Sequence, residues 1–323
     1  MKKLKLGIYG ANGHQIWQFL EGYDRVDFVA SAAVPNGRLE AYEAYKSGRL
    51  KTFETLDEMI EGCELDLVAL CSPYRSEQAK DAIKLLSHDI SVYAEKPAAF
   101  TEKELDEILE AAKNSKAEFH EIADSAFVEP YVTLGKLIRA GEVGEIVQIY
   151  VQKSYPGIFS NRPADLNVDG ALTRQAGVHA TRFIEHVCGL KIKDVRCFET
   201  TLGAPEDKPG FVTATSAIMT LDNGGVATMT INYFNPRSFP SWGNECVRAF
   251  GTKGMIEITD GGKKTHLYND KGDLGEFTLE ENPKPFFAML CEHLLDGTDM
   301  PFSLEEELSP LRKIIRIYEA SEK

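Results

Sequence analysis

A lysine and a histidine carry the chemistry for which this chain can be read. Lys96 stands in Ala94-Glu95-Lys96-Pro97-Ala98, directly after the short apolar run Ile90-Ser91-Val92-Tyr93, and His179 stands in Gly177-Val178-His179. An ammonium held by a proline-fixed turn at the C-terminal end of a parallel strand points into the crevice where an open α/β sheet takes its ligand. There it can orient a hydroxyl or carbonyl and, if burial lowers its pKa, help move a proton. The plainer alternative is a lysine paired with a nearby carboxylate. Removing a hydride from an alcohol also requires a base for the hydroxyl proton, and an imidazole is suited to that exchange; a core histidine at a helix start is the alternative for His179. Pro97 is expected to fix the turn, and Glu95 to hold either a ribose or backbone.

A nucleotide would meet Lys96 through the turn that ends the first strand, Gly10-Ala11-Asn12-Gly13-His14-Gln15. A dinucleotide fingerprint places glycines for the tight turn, for approach to the pyrophosphate and for helix packing. Gly10 fits, Asn12 and Gln15 occupy the second and third positions, and Gly13 offers close approach one residue late. Asn tolerates left-handed backbone, so the turn survives. A helix N-terminus from Gln15 to Glu21 is expected to offer N–H groups to the phosphates. An NAD enzyme usually places an acid roughly 20 positions past the first glycine. Here the chain reads Ser31-Ala32-Ala33-Val34-Pro35-Asn36-Gly37-Arg38, with no acid. A small polar residue followed by Arg38 tolerates a 2′-phosphate, which tilts the choice between NAD and NADP toward NADP; a cap on a solvated helix end explains Arg38 equally well. Ser72-Pro73, after the next strand, is expected to line the cofactor.

Together these pieces resemble the Gfo/Idh/MocA family of nicotinamide-dependent sugar and polyol oxidoreductases, whose hallmark is Glu-Lys-Pro at this place. Gly177-Val178-His179, Gly251-Thr252-Lys253-Gly254 and Glu319-Ala320-Ser321 follow the family's order, so the resemblance covers nearly the whole chain. It implies hydride transfer between a substrate carbon and nicotinamide C4, with Lys96 polarising the reacting oxygen and His179 exchanging its proton. It also implies that Gly10, Asn12, Gly13, His14, Arg38, Ser72, Pro73, Glu95 and Lys96 face the cofactor. The family commonly has aspartates four residues before and three after the histidine; Gln175 and Arg182 stand there instead. Gln175 can share a helix face with His179 but cannot supply a charge. Arg162, Arg174 and Gln175 join His179 as expected substrate contacts, which suits a carboxylate or phosphate on the substrate, although pairing of the arginines with Asp165 and Asp169 accounts for them equally. A dinucleotide-binding sensor that has lost the redox step is the rival reading, and redox-assisted elimination is a third.

Positioning these residues takes two domains. At 323 residues, 43% hydrophobic and 27% charged, the chain is long enough for two cores. Apolar strands over Lys5 to Tyr9, Val26 to Ala33, Leu65 to Cys71 and Ile90 to Ala94 alternate with helices, giving a doubly wound parallel sheet over residues 1–122. Residues 123–323 read as an α+β domain with a large, mostly antiparallel sheet: Ile146 to Ser154, then Val212 to Leu221 and Val226 to Phe234 joined by Asp222-Asn223-Gly224-Gly225. The last strand alternates apolar and polar residues, so one face packs and the other is available to a second subunit in a homodimer or homotetramer. A net charge of −14 disfavours nucleic acid. No run approaches the roughly 20 apolar residues of a membrane span. Six cysteines with no Cys-x-x-Cys spacing suit reduced thiols in a cytoplasmic protein, and the histidine spacing suggests no metal site.

Overall fold

The computed structural model describes residues 2–14, 16–122, 124–159 and 162–322. The chain divides into two compact units, the first made of Met1–Ile122, Asn167–Asp169 and Phe286–Leu308, the second of Ala123–Leu166, Gly170–Pro285 and Ser309–Lys323. Residues 286–308, expected in the second domain, belong to the first unit.

In the first unit, β1 (Leu4–Tyr9), β2 (Val26–Ala32), β3 (Lys51–Phe53), β4 (Leu67–Leu70), β5 (Ser91–Ala94) and β6 (Phe119–Glu121) form one sheet in the order β3-β2-β1-β4-β5-β6. All pairs are parallel. Every residue of β4 and β5 is buried, as a sheet covered on both faces demands. The connecting helices are α1 (Asn36–Leu39), α2 (Glu43–Lys46), α3 (Leu56–Gly62), α4 (Gln78–Ser87) and α5 (Glu102–Asn114). Capping boxes start α3 at Thr55 and Glu58 and α5 at Thr101 and Glu104. The strand order reverses between β1 and β4, which is where an open sheet of this kind binds its ligand.

One expected element is absent. Instead of a helix from Gln15 to Glu21, the described residues form a single 3-10 turn at Trp17–Phe19, begun at Ile16 without a side-chain cap; Gln15 itself lies outside the described residues. Seven uncapped residues make a marginal helix. Tertiary packing decides the outcome: Trp17 stacks on Tyr42 at 5.7 Å, and Phe19 lies 4.8 Å from Phe287 and 5.2 Å from Tyr23.

Phe287 belongs to α9 (Phe286–Asp296), which with the start of α10 (Leu304–Glu319) closes this unit. His120 on β6 is buried there, with Nδ1 2.8 Å from Glu307 and Nε2 3.2 Å from Glu118, while Glu307 also accepts from the Glu121 N–H. His293 completes the group 2.9 Å from the Glu118 carboxylate.

The second unit begins with α6 (Tyr131–Arg139) and carries a nine-stranded sheet. Its strands are β7 (Ile146–Ser154), β8 (Ile192–Thr200), β9 (Ala214–Leu221), β10 (Val226–Asn232), β11 (Asn244–Gly251), β12 (Gly254–Thr259), β13 (Lys264–Asn269), β14 (Gly272–Gly275) and β15 (Ser321–Glu322), in the order β14-β13-β12-β11-β7-β10-β9-β8-β15. Pairing is antiparallel except for β7 with β10 and β8 with β15. Ala227, Met229, Ile231 and Tyr233 are fully buried on one face. Against that face lies α8 (Ala171–Arg182), which follows the short α7 (Leu166–Asp169) and runs on into a π turn at Phe183–Val187. Gly177 explains the close fit: a Cβ there would lie 2.3 Å from Ile314 on α10 and 3.0 Å from Ile231 on β10.

Gly251 and Gly254 have a comparable structural cause. They pair across the β11–β12 turn, where added Cβ atoms would meet the Val143 and Tyr268 carbonyls at 2.1 Å each. All six cysteines are free thiols. Among the described residues, no helix is long and apolar enough to cross a membrane, and no cluster of metal-ligating side chains is present.

Burial alone would depress the His120 imidazole, but Glu307 and Glu118 outweigh it and raise it to about 9. A raised histidine contributes stability that is complete below its ordinary value of 6.5 and lost as pH climbs through 9. The melting temperature should therefore fall between pH 6.5 and 9 more steeply in the native protein than in His120→Gln, as read by differential scanning fluorimetry.

Candidate active site

Three turns meet at the C-terminal ends of the neighbouring strands β1, β4 and β5. Gly10 opens the first at φ +75°, and a Cβ there would lie 2.0 Å from the Cys71 carbonyl, so only glycine fits. Asn12, standing where the fingerprint has its second glycine, braces the turn. Its amide donates to the carbonyls of Pro73, at 3.2 Å, and Val168. The buried Arg75 guanidinium donates to the Asn12 carbonyl and, at 2.6 Å, to Gln78 Oε1. Gln78, also fully buried, accepts from the Ser72 N–H at 3.3 Å and donates to the carbonyls of Glu95 and, at 3.3 Å, Pro97. One amide thus ties the turn after β4 to the turn that holds Lys96.

Of its two expected partners, Glu95 holds backbone in this structure. Its carboxylate accepts from the His14 N–H at 3.1 Å and lies 3.1 Å from His14 Nδ1 and 3.8 Å from Lys96 Nζ. Burial would raise this carboxyl, yet His14, Lys96 and Arg75 together hold it down at about 2. Lys96 is 3% exposed and precedes a cis proline. Gly13 lets His14 reach the carboxylate: it sits at φ +114°, and a Cβ would lie 2.7 Å from Glu95 Cγ and 2.9 Å from Arg75 Nη2. Because α-helix is absent from the described part of 14–21 and the His14 N–H is taken by Glu95, that segment does not present the helix N-terminus expected for phosphate.

Ser72 is fully buried, its hydroxyl donating to Asp81 at 2.7 Å, whereas Pro73 is exposed. Arg38 is exposed on α1. Beside it, a cleft of about 450 Å³ is lined by the end of β2, including Ser31 and Ala33, and by Glu54 and Glu58 following β3. Glu58 accepts from the Glu54 and Thr55 N–H groups as part of the α3 cap. Glu54 lies one strand beyond the position where an acid is expected from the first glycine.

In the second unit Gly170 at φ +89° and Ala171 at φ +66° turn the chain into α8. Every residue of α8 is buried except Ala171, Gln175 and His179, which fall on one line at i, i+4 and i+8. The shared face of Gln175 and His179 is therefore real. His179 Nδ1 lies 2.9 Å from Ser125 Oγ, and Gln175 Oε1 accepts from the Tyr155 hydroxyl. Arg174 is buried, donates from Nε to the Gly170 carbonyl at 3.0 Å and stacks 4.0 Å over the Tyr318 ring. Arg162 lies 5.1 Å over the Tyr155 ring, and Arg182 is fully buried. Ser125 and Tyr155 carried no sequence signal, since neither is near its partner in the chain.

Two family models match in chain order. Residues 4–122 match the oxidoreductase family with NAD-binding Rossmann fold, and residues 131–257 match the GFO/IDH/MocA C-terminal domain. The chain belongs to the GFO/IDH/MocA oxidoreductase family. No curated protein matches it in sequence. Among solved structures it is similar to a putative oxidoreductase from Thermotoga maritima, with a TM-score of 0.88 at 22% identity over 98% of this chain and 97% of that one. It is also similar to a putative oxidoreductase from Erwinia carotovora atroseptica, with a TM-score of 0.85 at 18% identity over 99% of both chains. A myo-inositol 2-dehydrogenase from Lactobacillus plantarum shares the fold at a TM-score of 0.76 and 15% identity, over 99% of this chain and 97% of that one. For this family member, the turn between β1 and its successor belongs to the NAD-binding domain.

Gly13→Ala tests that turn. The strained φ and the clash with Glu95 should cost roughly 1–3 kcal/mol of stability and weaken NADH binding at least tenfold, measured by thermal unfolding and by nucleotide fluorescence.

Proposed function

We propose that the protein transfers a hydride between NAD(P) and a CH–OH or carbonyl carbon of a small polyol, sugar or sugar acid. The observation that carries this reading is the anchored Glu95-Lys96 pair, which fixes an ammonium at the end of β5 beside a turn whose glycines admit no Cβ. When bound, a nicotinamide supplies the hydride donor or acceptor. The Gly10–Gly13 backbone and Pro73 hold the nucleotide, Lys96 orients and polarises the reacting oxygen, and His179 exchanges its proton with the substrate hydroxyl. Ser125 lies against the His179 ring, and Gln175 stands where the family commonly has an aspartate.

NADH and NADPH absorbance should be followed against inososes, ketoses and keto acids. Lys96→Ala and His179→Ala should each lower kcat by about 10²–10⁴, with nucleotide affinity staying within a few-fold in His179→Ala. The missing aspartate favours a second reading, a sensor on the same fold. Nucleotide that raises the melting temperature with no turnover on any substrate in the panel would establish it.

Cofactor choice follows from the cleft after β2. Glu54 lines it and Arg38 does not, so a carboxylate accepts ribose hydroxyls and repels a 2′-phosphate. The lean toward NADP taken from Arg38 is the alternative that the same titrations test. Native protein should bind NADH more tightly than NADPH, and Glu54→Gln should narrow the ratio several-fold in paired titrations.

We also propose a homodimer or homotetramer. Phe198, Ile218, Val226, Phe250 and Tyr268 lie in register on the sheet face away from α8, each at least 36% exposed. Ile218→Lys should shift the mass read by light scattering toward the monomer.

A further inference from the structure

The loop between β10 and β11 presents a large aromatic side chain that the roles above do not use. Trp242 is 60% exposed, yet its loop is rigidly held. The buried Asn235 amide donates to the carbonyls of Ser241, at 3.3 Å, and Trp242, at 3.0 Å. Ser241 Oγ donates to the Gly243 carbonyl at 2.6 Å, and Lys263 Nζ to the Pro240 carbonyl at 2.9 Å. An indole already fixed loses little entropy on binding, which is how exposed aromatics become strong binding anchors.

What it borders identifies the ligand class. Trp242, Phe239, Arg237 and the rings of Pro156, Pro236 and Pro240 line a hollow of about 490 Å³. Proline rings offer apolar surface and no N–H, the indole offers a flat face, and the arginine offers a planar cation suited to carboxylate. This hollow is connected to His179 through side chains. Trp242 stacks on the buried Tyr155 at 6.3 Å and 23°, and the Tyr155 hydroxyl bonds Gln175, one helical turn from His179.

We propose that Trp242 and Arg237 form a sugar-binding subsite in which the apolar face of a pyranose ring stacks on the indole and a carboxylate on that ring meets the guanidinium. The assignment deepens the proposed function by naming an acidic sugar ring as the recognised group, and it rests on that reading only for the choice of a sugar.

Only two tryptophans occur, at 17 and 242, so Trp17→Phe leaves the indole at 242 as sole reporter. The full-length variant should be titrated with D-glucuronate, D-glucose and acetate. Glucuronate should change the emission saturably with at least tenfold higher affinity than glucose, acetate should do nothing, and adding Arg237→Gln should bring glucuronate down to the level of glucose. Calorimetric titration of the native protein and of Arg237→Gln with glucuronate gives the same comparison without the Trp17 change. Equal response to all three probes, no response to glucuronate, or emission that tracks protein concentration alone would overturn the subsite; the last would mark a self-association surface. NADH binding and turnover are read separately, so loss of the redox function and loss of the subsite are distinguishable.

Discussion

A buried carboxylate that stays charged organises the nucleotide-side turns. Taking Glu95 out of water is unfavourable by itself, and it remains ionised because an imidazole, an ammonium and a guanidinium surround it and a backbone N–H bonds it. Each of those partners is thereby placed. His14 fixes the turn after β1, Arg75 the turn after β4, and Lys96 the turn after β5. With Gln78 beneath them sharing one amide among these segments, a shift in any turn would leave a polar group in the interior unsatisfied.

The second unit places its histidine by a different rule. Packing leaves α8 a single open line, and Gly177 sets how closely that helix lies between β10 and α10. Its polar ties are made from the flanks: Thr173 bonds Glu199 and Thr215, and Thr181 bonds the Pro310 carbonyl at 2.9 Å. The motif Gly-Val-His therefore joins a glycine that close packing requires to a histidine that packing leaves on the open line of the helix.

Local signals and long-range ones differed sharply in what the sequence revealed. Apolar runs marked the parallel strands, the Asp222–Gly225 turn marked the β9–β10 hairpin, and Thr101 with Glu104 marked a helix start, because each depends on neighbours a few residues away. The helix expected after Gly13 failed because aromatic packing at Trp17 and Phe19, with partners as distant as Phe287, outweighed local periodicity. In the site, Lys96 and Glu95 were legible from one short motif. Gln78 was not, and in the second unit neither was Ser125, since the significance of each arises only when segments distant in the chain come together within one unit. Arg174, expected at substrate, lies buried over the ring of Tyr318, a contact from a helix far along the chain.

Asn12 shows what replacing a fingerprint glycine can achieve. A glycine there would leave the phosphate-side turn free to sample many backbone states before a nucleotide arrived, and each would have to be surrendered on capture. An amide clamped to two carbonyls removes that freedom during folding, when the whole core shares the loss. Such a turn is shaped in advance, and it would tolerate little variation in the ligand it receives.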